Sequence, residues 1–397
     1  MSVRLPAPIP DIGADIAARL AQLEPLVAGG RAARLRESFD AAAIDALVVT
    51  SLTNIRYLTG FTGSAGVVVV TAEELVLVTD GRYREQAADQ AARSASGARV
   101  EISSTAQREL IVAAVGNTAR VGLEADHITW STQRRYAAEW FADRSLVPTT
   151  GLVEALRRTK EPGELQRIEL AAAIADSALA RLRPRLLEGP TEVEFARELD
   201  STMRELGATR PSFETIVASG PNGARPHARP STRVIEPGDL VVLDFGAVVD
   251  GYCSDMTRTL AVGEVSDTAR RMLEVVTAAQ AAGVAAVRPG VAARQVDAVC
   301  RSVIDEAGWA DAFSHGTGHG VGLDIHEAPG VGSTSDATLV VGDVVTVEPG
   351  VYLPGHGGVR VEDTVVVTTD GCRPLTHSTK DPAPHPTPDP ALRRQPS

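Results

Sequence analysis

The chain has 397 residues, 44% apolar, 23% charged and 4% aromatic, enough to bury a sizeable core and long enough for two or three domains. Its formal net charge of −12 argues against a nucleic-acid or anionic-membrane partner, because those need a basic face. Its three cysteines, Cys253, Cys300 and Cys372, form no C-x-x-C pair, which argues against a zinc ribbon or disulfide framework and fits a reducing cytoplasm.

Residues 1–30 read as an N-terminal arm with three early prolines, and no signal-peptide core develops there. No run of about 18 apolar residues occurs anywhere, so no membrane span is expected. From Arg31 a helix leads into a buried strand at Ala46 to Thr50. VVVVT at Val67 to Thr71 and LVLVTD at Leu75 to Asp80 read as two strands joined by a turn, followed by a helical segment from Arg82 to Ala92. ARVGLEADHITW repeats the strand-then-loop theme. The alternation predicts an α/β domain over 31–150. Between 151 and 186 a long amphipathic helix follows a Lys-Glu-Pro-Gly break, with Pro162 suited to a first helical turn. Thr191 and Glu194 form a capping box for the next helix, which Gly207 would stop. Helices at about 266–285 and 292–307 then interleave with strands at 240–247, 252–260, 343–348 and 358–368. This second domain spans 151–379, and a Pro-rich tail over 380–397 reads as disordered.

Three segments carry candidate metal ligands. In LVVLDFGAVVDGYCSDMTRTL, Asp250-Gly251 suits the centre of a tight hairpin. Val249 then faces Tyr252 and Gly246 faces Asp255, which places Asp244 and Asp255 on one face as diagonal neighbours, roughly 7–8 Å apart. Two such carboxylates repel unless a cation sits between them; either one alone would read as a turn or edge residue. In SHGTGHGVGLDIHEAP, His315, His319 and His326 lie among glycines that disfavour a helix. They are either exposed loop histidines or ligands of a borderline metal. In VVTVEPGVYLPGHGGVRVEDTVVV, Glu348 ends an apolar strand, and Arg360 and Glu362 share a face of the return strand. An Arg–Glu surface pair is the plain alternative. Two aspartates, two glutamates and one imidazole form an oxygen-rich set, and four carboxylates balance two divalent ions better than one.

With these motifs in order, the chain resembles the pita-bread metallopeptidases of the aminopeptidase P and prolidase branch, from about residue 31 to about 378. NIRYLTGFTGSAG and LVTDGRY resemble that branch's creatinase-like N-terminal domain. The resemblance implies an α+β chain: a creatinase-like α/β N-terminal domain, then a pita-bread catalytic domain. It implies two divalent metal ions, manganese first, with cobalt or zinc as alternatives, held by Asp244, Asp255, His319, Glu348 and Glu362. Asp255 and Glu362 would bridge, and Glu348 would also shuttle protons. It implies His227 and His326 as catalytic-site histidines, toward the residue after the cleaved bond and toward the peptide carbonyl. His315 and Arg360 would support substrate and ligands. The expected activity is release of the first residue before proline from peptides. Alternatives are a prolidase limited to Xaa-Pro dipeptides and, from another class, an inactive binding module of the same fold. A cytoplasmic homodimer or larger homo-oligomer is expected.

Overall fold

The computed structural model describes residues 12–384. The early prolines and the tail beyond 384 lie outside those residues. Two compact units emerge, one of residues 24–157 and one joining the segment up to Leu23 to the chain from Arg158 onward.

The first unit is a six-stranded sheet. Its strands are β1 (Ala46–Val49), β2 (Val67–Thr71), β3 (Leu75–Thr79), β4 (Arg99–Ile102), β5 (Arg120–Glu124) and β6 (Ser145–Thr149), in the order β4-β3-β2-β1-β5-β6. The pairs β1/β2 and β2/β3 are antiparallel and the other three parallel. The valine-rich runs bury both faces, as mixed sheets covered by helices require, and Val48, Val69, Val78 and Leu123 share one core. Helix Leu52–Thr59 starts on Ser51, which accepts from the Asn54 N–H, and stops at Gly60 with φ 76°. The unit closes on helix Leu152–Arg158, past the expected boundary at 150, because Asn54 binds both Glu154 (2.6 Å) and Arg157 (2.8 Å).

The second unit is built in two halves. In the first, helices Pro162–Leu182 and Glu192–Glu205 cover β7 (Arg210–Pro211), β8 (Ile216–Ser219), β9 (Leu240–Phe245), β10 (Ala247–Val249), β11 (Tyr252–Cys253) and β12 (Met256–Ala261). Both helices carry capping boxes, Glu161 with Glu164 and Thr191 with Glu194. In the second half, helices Asp267–Ala286 and Ala293–Glu306 pack on β13 (Gly318–Gly320), β14 (Glu327–Val331), β15 (Val344–Val347), β16 (Gly350–Leu353), β17 (Gly357–Arg360), β18 (Asp363–Val367) and β19 (Cys372–Pro374). The larger sheet there runs β14-β13-β15-β18-β19, with β16 and β17 as a separate hairpin.

Two expectations change. The segment read as an arm contains a helix, Ile12–Ala21, whose Ile16 is buried with Leu170 and Ile174 of this unit. Residues 380–383, read as the start of a disordered tail, are held in place. Lys380 pairs with Asp363 at 2.6 Å, the Ala261 N–H donates to the Pro382 carbonyl at 2.8 Å, and the Arg183 guanidinium donates to the Asp381 and Ala383 carbonyls. Proline lacks an N–H but keeps its carbonyl, so a proline-rich strap can still dock through acceptors.

Candidate active site

The hairpin that carries Asp244 and Asp255 folds in the expected register. Val249 faces Tyr252, and the same register resumes at Phe245 with Met256 and Asp244 with Thr257. Asp250 (φ 41°) and Gly251 (φ 78°) form the turn with both residues left-handed. Opposite Asp255, a Cβ at Gly246 would lie 1.9 Å from the Ser254 carbonyl oxygen, so the two strands can close only on glycine.

Asp244, Asp255 and Glu362 are gathered, with one carboxylate oxygen from each within 4.8 Å of the others. His319 joins them with Nε2 3.5 Å from Asp255 and 3.3 Å from Glu348. Its Nδ1 lies 3.0 Å from the Gly320 carbonyl. A carbonyl only accepts, so Nδ1 carries the proton and Nε2 is the nitrogen turned to the carboxylates. His319 is set by close strand contact: a Cβ at Gly318 would lie 2.0 Å from the Thr346 carbonyl oxygen. The five expected ligand residues are therefore brought together, and His315 and His326 fall outside the cluster's carboxylates.

Threonines two residues from Asp255, Glu348 and Glu362 hold the cluster. The Thr257 hydroxyl donates to Glu362 Oε2 (2.8 Å), Thr346 to Glu348 Oε1 (3.0 Å) and Thr364 to the Asp255 carbonyl (2.8 Å). Sequence reasoning missed them, although Asp255/Thr257, Thr346/Glu348 and Glu362/Thr364 all share the two-residue spacing of one strand face. It also missed Tyr352. The buried Arg360 guanidinium donates to Tyr352 Oη (2.8 Å), the Thr257 hydroxyl (3.1 Å), the Pro226 carbonyl (3.2 Å) and Asp244 (2.5 Å). His315 Nδ1 faces the Gly316 carbonyl at 2.8 Å, so its Nε2 accepts from Tyr352 Oη, also at 2.8 Å. Arg360 is thus no surface partner of Glu362; both are buried, at 3% and 1% exposure.

The gathered carboxyls are costly to ionise together. Burial first, then the charges of neighbouring carboxylates, push Asp255 and Glu362 well above the usual carboxylate range. Burial also raises Asp244, against the pull of Arg360. Burial works against ionised Glu348 too, but the His319 hydrogen bond and charge, with Arg360, outweigh it and bring that carboxyl down to about 2. Burial would lower His319, yet Glu348 raises it. Burial lowers His315 and His326, favouring their neutral forms.

Above the cluster opens a cavity of about 550 Å³, whose walls include Phe213, His227, Ile325 and His326. The His326 ring meets His319 edge-on, centroids 4.3 Å apart.

Residues 166–369 match the model of metallopeptidase family M24, and residues 31–159 match the creatinase/prolidase N-terminal domain. The chain belongs to metallopeptidase family M24. Similar proteins include an Xaa-Pro dipeptidase of Pyrococcus furiosus, 34% identical over 88% of this chain and 99% of that protein. Among solved structures, an Xaa-Pro dipeptidase from Bacillus anthracis is 42% identical, with TM-score 0.83 over 88% of this chain and 98% of that one. An X-Pro aminopeptidase from Thermotoga maritima is 33% identical, with TM-score 0.80 over 87% and 99%.

Membership of M24 implies divalent metal ions, and the residues of this metallopeptidase fit them. Glu362 Oε1 is buried and has no hydrogen-bond partner among the described residues, an oxygen whose desolvation a cation would offset. The donors are carboxylate oxygens and one imidazole nitrogen, a set suited to a hard or borderline dication.

Proposed function

We propose that the protein is an Xaa-Pro aminopeptidase, hydrolysing the bond between the first residue and proline at the N-terminus of peptides. The observation that carries this reading is the cluster of Asp244, Asp255, His319, Glu348 and Glu362 at one cavity with His227 and His326. The names of its relatives, Xaa-Pro dipeptidases and aminopeptidases, support the substrate class. The intact cluster counts against an inactive binding module.

In this reading the five residues hold two divalent ions, manganese first, with cobalt or zinc as alternatives. When bound, such ions supply Lewis acidity toward the scissile carbonyl and a water of lowered pKa. Glu348, held ionised, takes the water proton and delivers it to the leaving nitrogen. Neutral His326 donates one N–H to the developing oxyanion, and His227 binds the residue after the cleaved bond. Arg360 fixes Asp244, while His315 fixes Tyr352 and through it Arg360. A second reading, a prolidase confined to dipeptides, is favoured by one observation, a cationic side chain, Arg229, on the cavity wall.

The test strips the protein of metal, restores manganese, and assays a Xaa-Pro dipeptide beside a Xaa-Pro-Xaa tripeptide. Metal-dependent cleavage of the tripeptide at the Xaa–Pro bond supports the aminopeptidase, and cleavage of the dipeptide alone supports the prolidase. Cleavage of neither by metal-loaded protein overturns both. We also place the protein in the cytoplasm. The three free cysteines support this, since a reducing compartment keeps thiols unpaired. The expected homodimer is a separate proposal that light scattering tests.

A further inference from the structure

Among the charged side chains that line the cavity, Asp244, Asp255, Glu348 and Arg360 belong to the cluster, and the Arg360 guanidinium is committed to four acceptors. Two more charged residues line it, Glu214 and Arg229. Arg229 Nε lies 3.4 Å from Glu214 Oε2, with the side chains 83% and 67% exposed. A pair this wet holds its partners weakly, so an incoming carboxylate can compete for the guanidinium. The pair engages Nε, and the two terminal nitrogens suit a planar carboxylate.

Position along the chain gives the site its meaning. His227 and Arg229 are both exposed and both line the cavity, with buried Ala228 between them packed against Ala218 and Val242. If His227 holds the residue after the cleaved bond, Arg229 stands beside that same residue. In a Xaa-Pro dipeptide this residue carries the free carboxylate; in a longer peptide an uncharged amide takes its place. We infer that Arg229 is a specificity-determining residue that binds the terminal carboxylate of dipeptide substrates, steadied by Glu214, and so sets the preference for substrate length.

The inference rests on the Xaa-Pro reading above, and the experiment separates the two. KM and kcat are measured with manganese for Ala-Pro, Ala-Pro amide and Ala-Pro-Ala, on the unmodified protein, Arg229→Gln and Arg229→Lys. Arg229→Gln should raise KM for Ala-Pro roughly tenfold, the size of one exposed charge-assisted contact plus its orientation, with kcat within about twofold. KM for the amide and the tripeptide should stay unchanged, and Arg229→Lys should recover part of the loss. Added salt should erode the dipeptide's advantage over the amide in the unmodified protein and have no such effect in Arg229→Gln. A KM for Ala-Pro that does not move, or that rises together with the amide's, overturns the role of Arg229 and leaves the Xaa-Pro reading standing. Unmodified protein that cleaves none of the three substrates overturns that reading and this inference with it.

Discussion

Glu362→Gln separates what this side chain does for the fold from what it does for the metal. Glutamine keeps an acceptor for the Thr257 hydroxyl, 2.8 Å from Oε2, and cannot ionise, at a place where one oxygen each of Asp244, Asp255 and Glu362 lies within 4.8 Å of the others. The carboxyl is 1% exposed, and burial with the neighbouring carboxylates raises its pKa well above the usual range, so ionising it costs the metal-free fold stability. Each unit of such a rise corresponds to about 1.4 kcal/mol. The variant should therefore unfold at the same or a higher temperature than the unmodified protein when both are metal-free. With manganese at roughly 1,000 times its Kd, the unmodified protein gains about 4 kcal/mol, on the order of 10 °C for a unit of this size. Glu362→Gln should lose most of that shift, along with most of its bound manganese and its turnover. The assay is differential scanning fluorimetry with and without manganese, beside metal analysis of the dialysed protein. A metal-free variant that melts lower, yet keeps the full manganese shift, would refute the assignment of Glu362 as a ligand placed at a cost to stability.

Two further outcomes follow from the same geometry. Asp255 and Glu362 are raised from ordinary values of 3.8 and 4.5, and His319 from 6.5, so the metal-free fold holds protons that the unfolded chain releases. The stability they contribute is fully present below those ordinary values and is lost as pH rises through the folded ones; Glu348 runs the other way, its share lost as pH falls from 4.5 toward about 2. The metal-free melting temperature should therefore decline as pH rises above the carboxyl range. Manganese binding should tighten over the same range and release protons, seen by titration calorimetry in buffers of different ionisation heat. A metal affinity flat between pH 5 and pH 8, on the order of a thousandfold change in proton activity, would contradict this. Tyr352→Phe removes the hydroxyl that accepts from Arg360 and donates to His315. It should lower kcat on the order of tenfold, about 1.4 kcal/mol of positioning, with manganese content unchanged; loss of metal instead would make Tyr352 part of the ligand support.

What could be read from the sequence was whatever a short stretch of chain decides for itself. Asp250-Gly251 fixed its hairpin, and the two-residue period then carried the register to Asp244 and Asp255. The capping box at Thr191 and the helix-breaking glycines around His319 were local in the same sense. Most of the supporting contacts, unlike that of Thr346 with Glu348 two residues on, join residues far apart in the chain, where no period in the sequence points from one to the other. Tyr352 meets His315 across 37 positions and Thr257 meets Glu362 across 105. The last of these links the two halves of the catalytic unit. Thr257 donates its hydroxyl to the Glu362 carboxylate, and the Glu362 N–H donates to the Thr257 carbonyl at 3.1 Å. Next along the chain, Asp363 is gripped from the first half by Arg258 (2.8 Å), from the second by Gln280 (3.1 Å) and Thr376 (3.1 Å), and from the strap by Lys380 (2.6 Å). Glu362 therefore holds its place because both neighbouring contacts tie separate parts of the chain to one strand end. A composition reading that set Lys380 aside as tail could not see that its charge helps to anchor the carboxylate at the centre of the site.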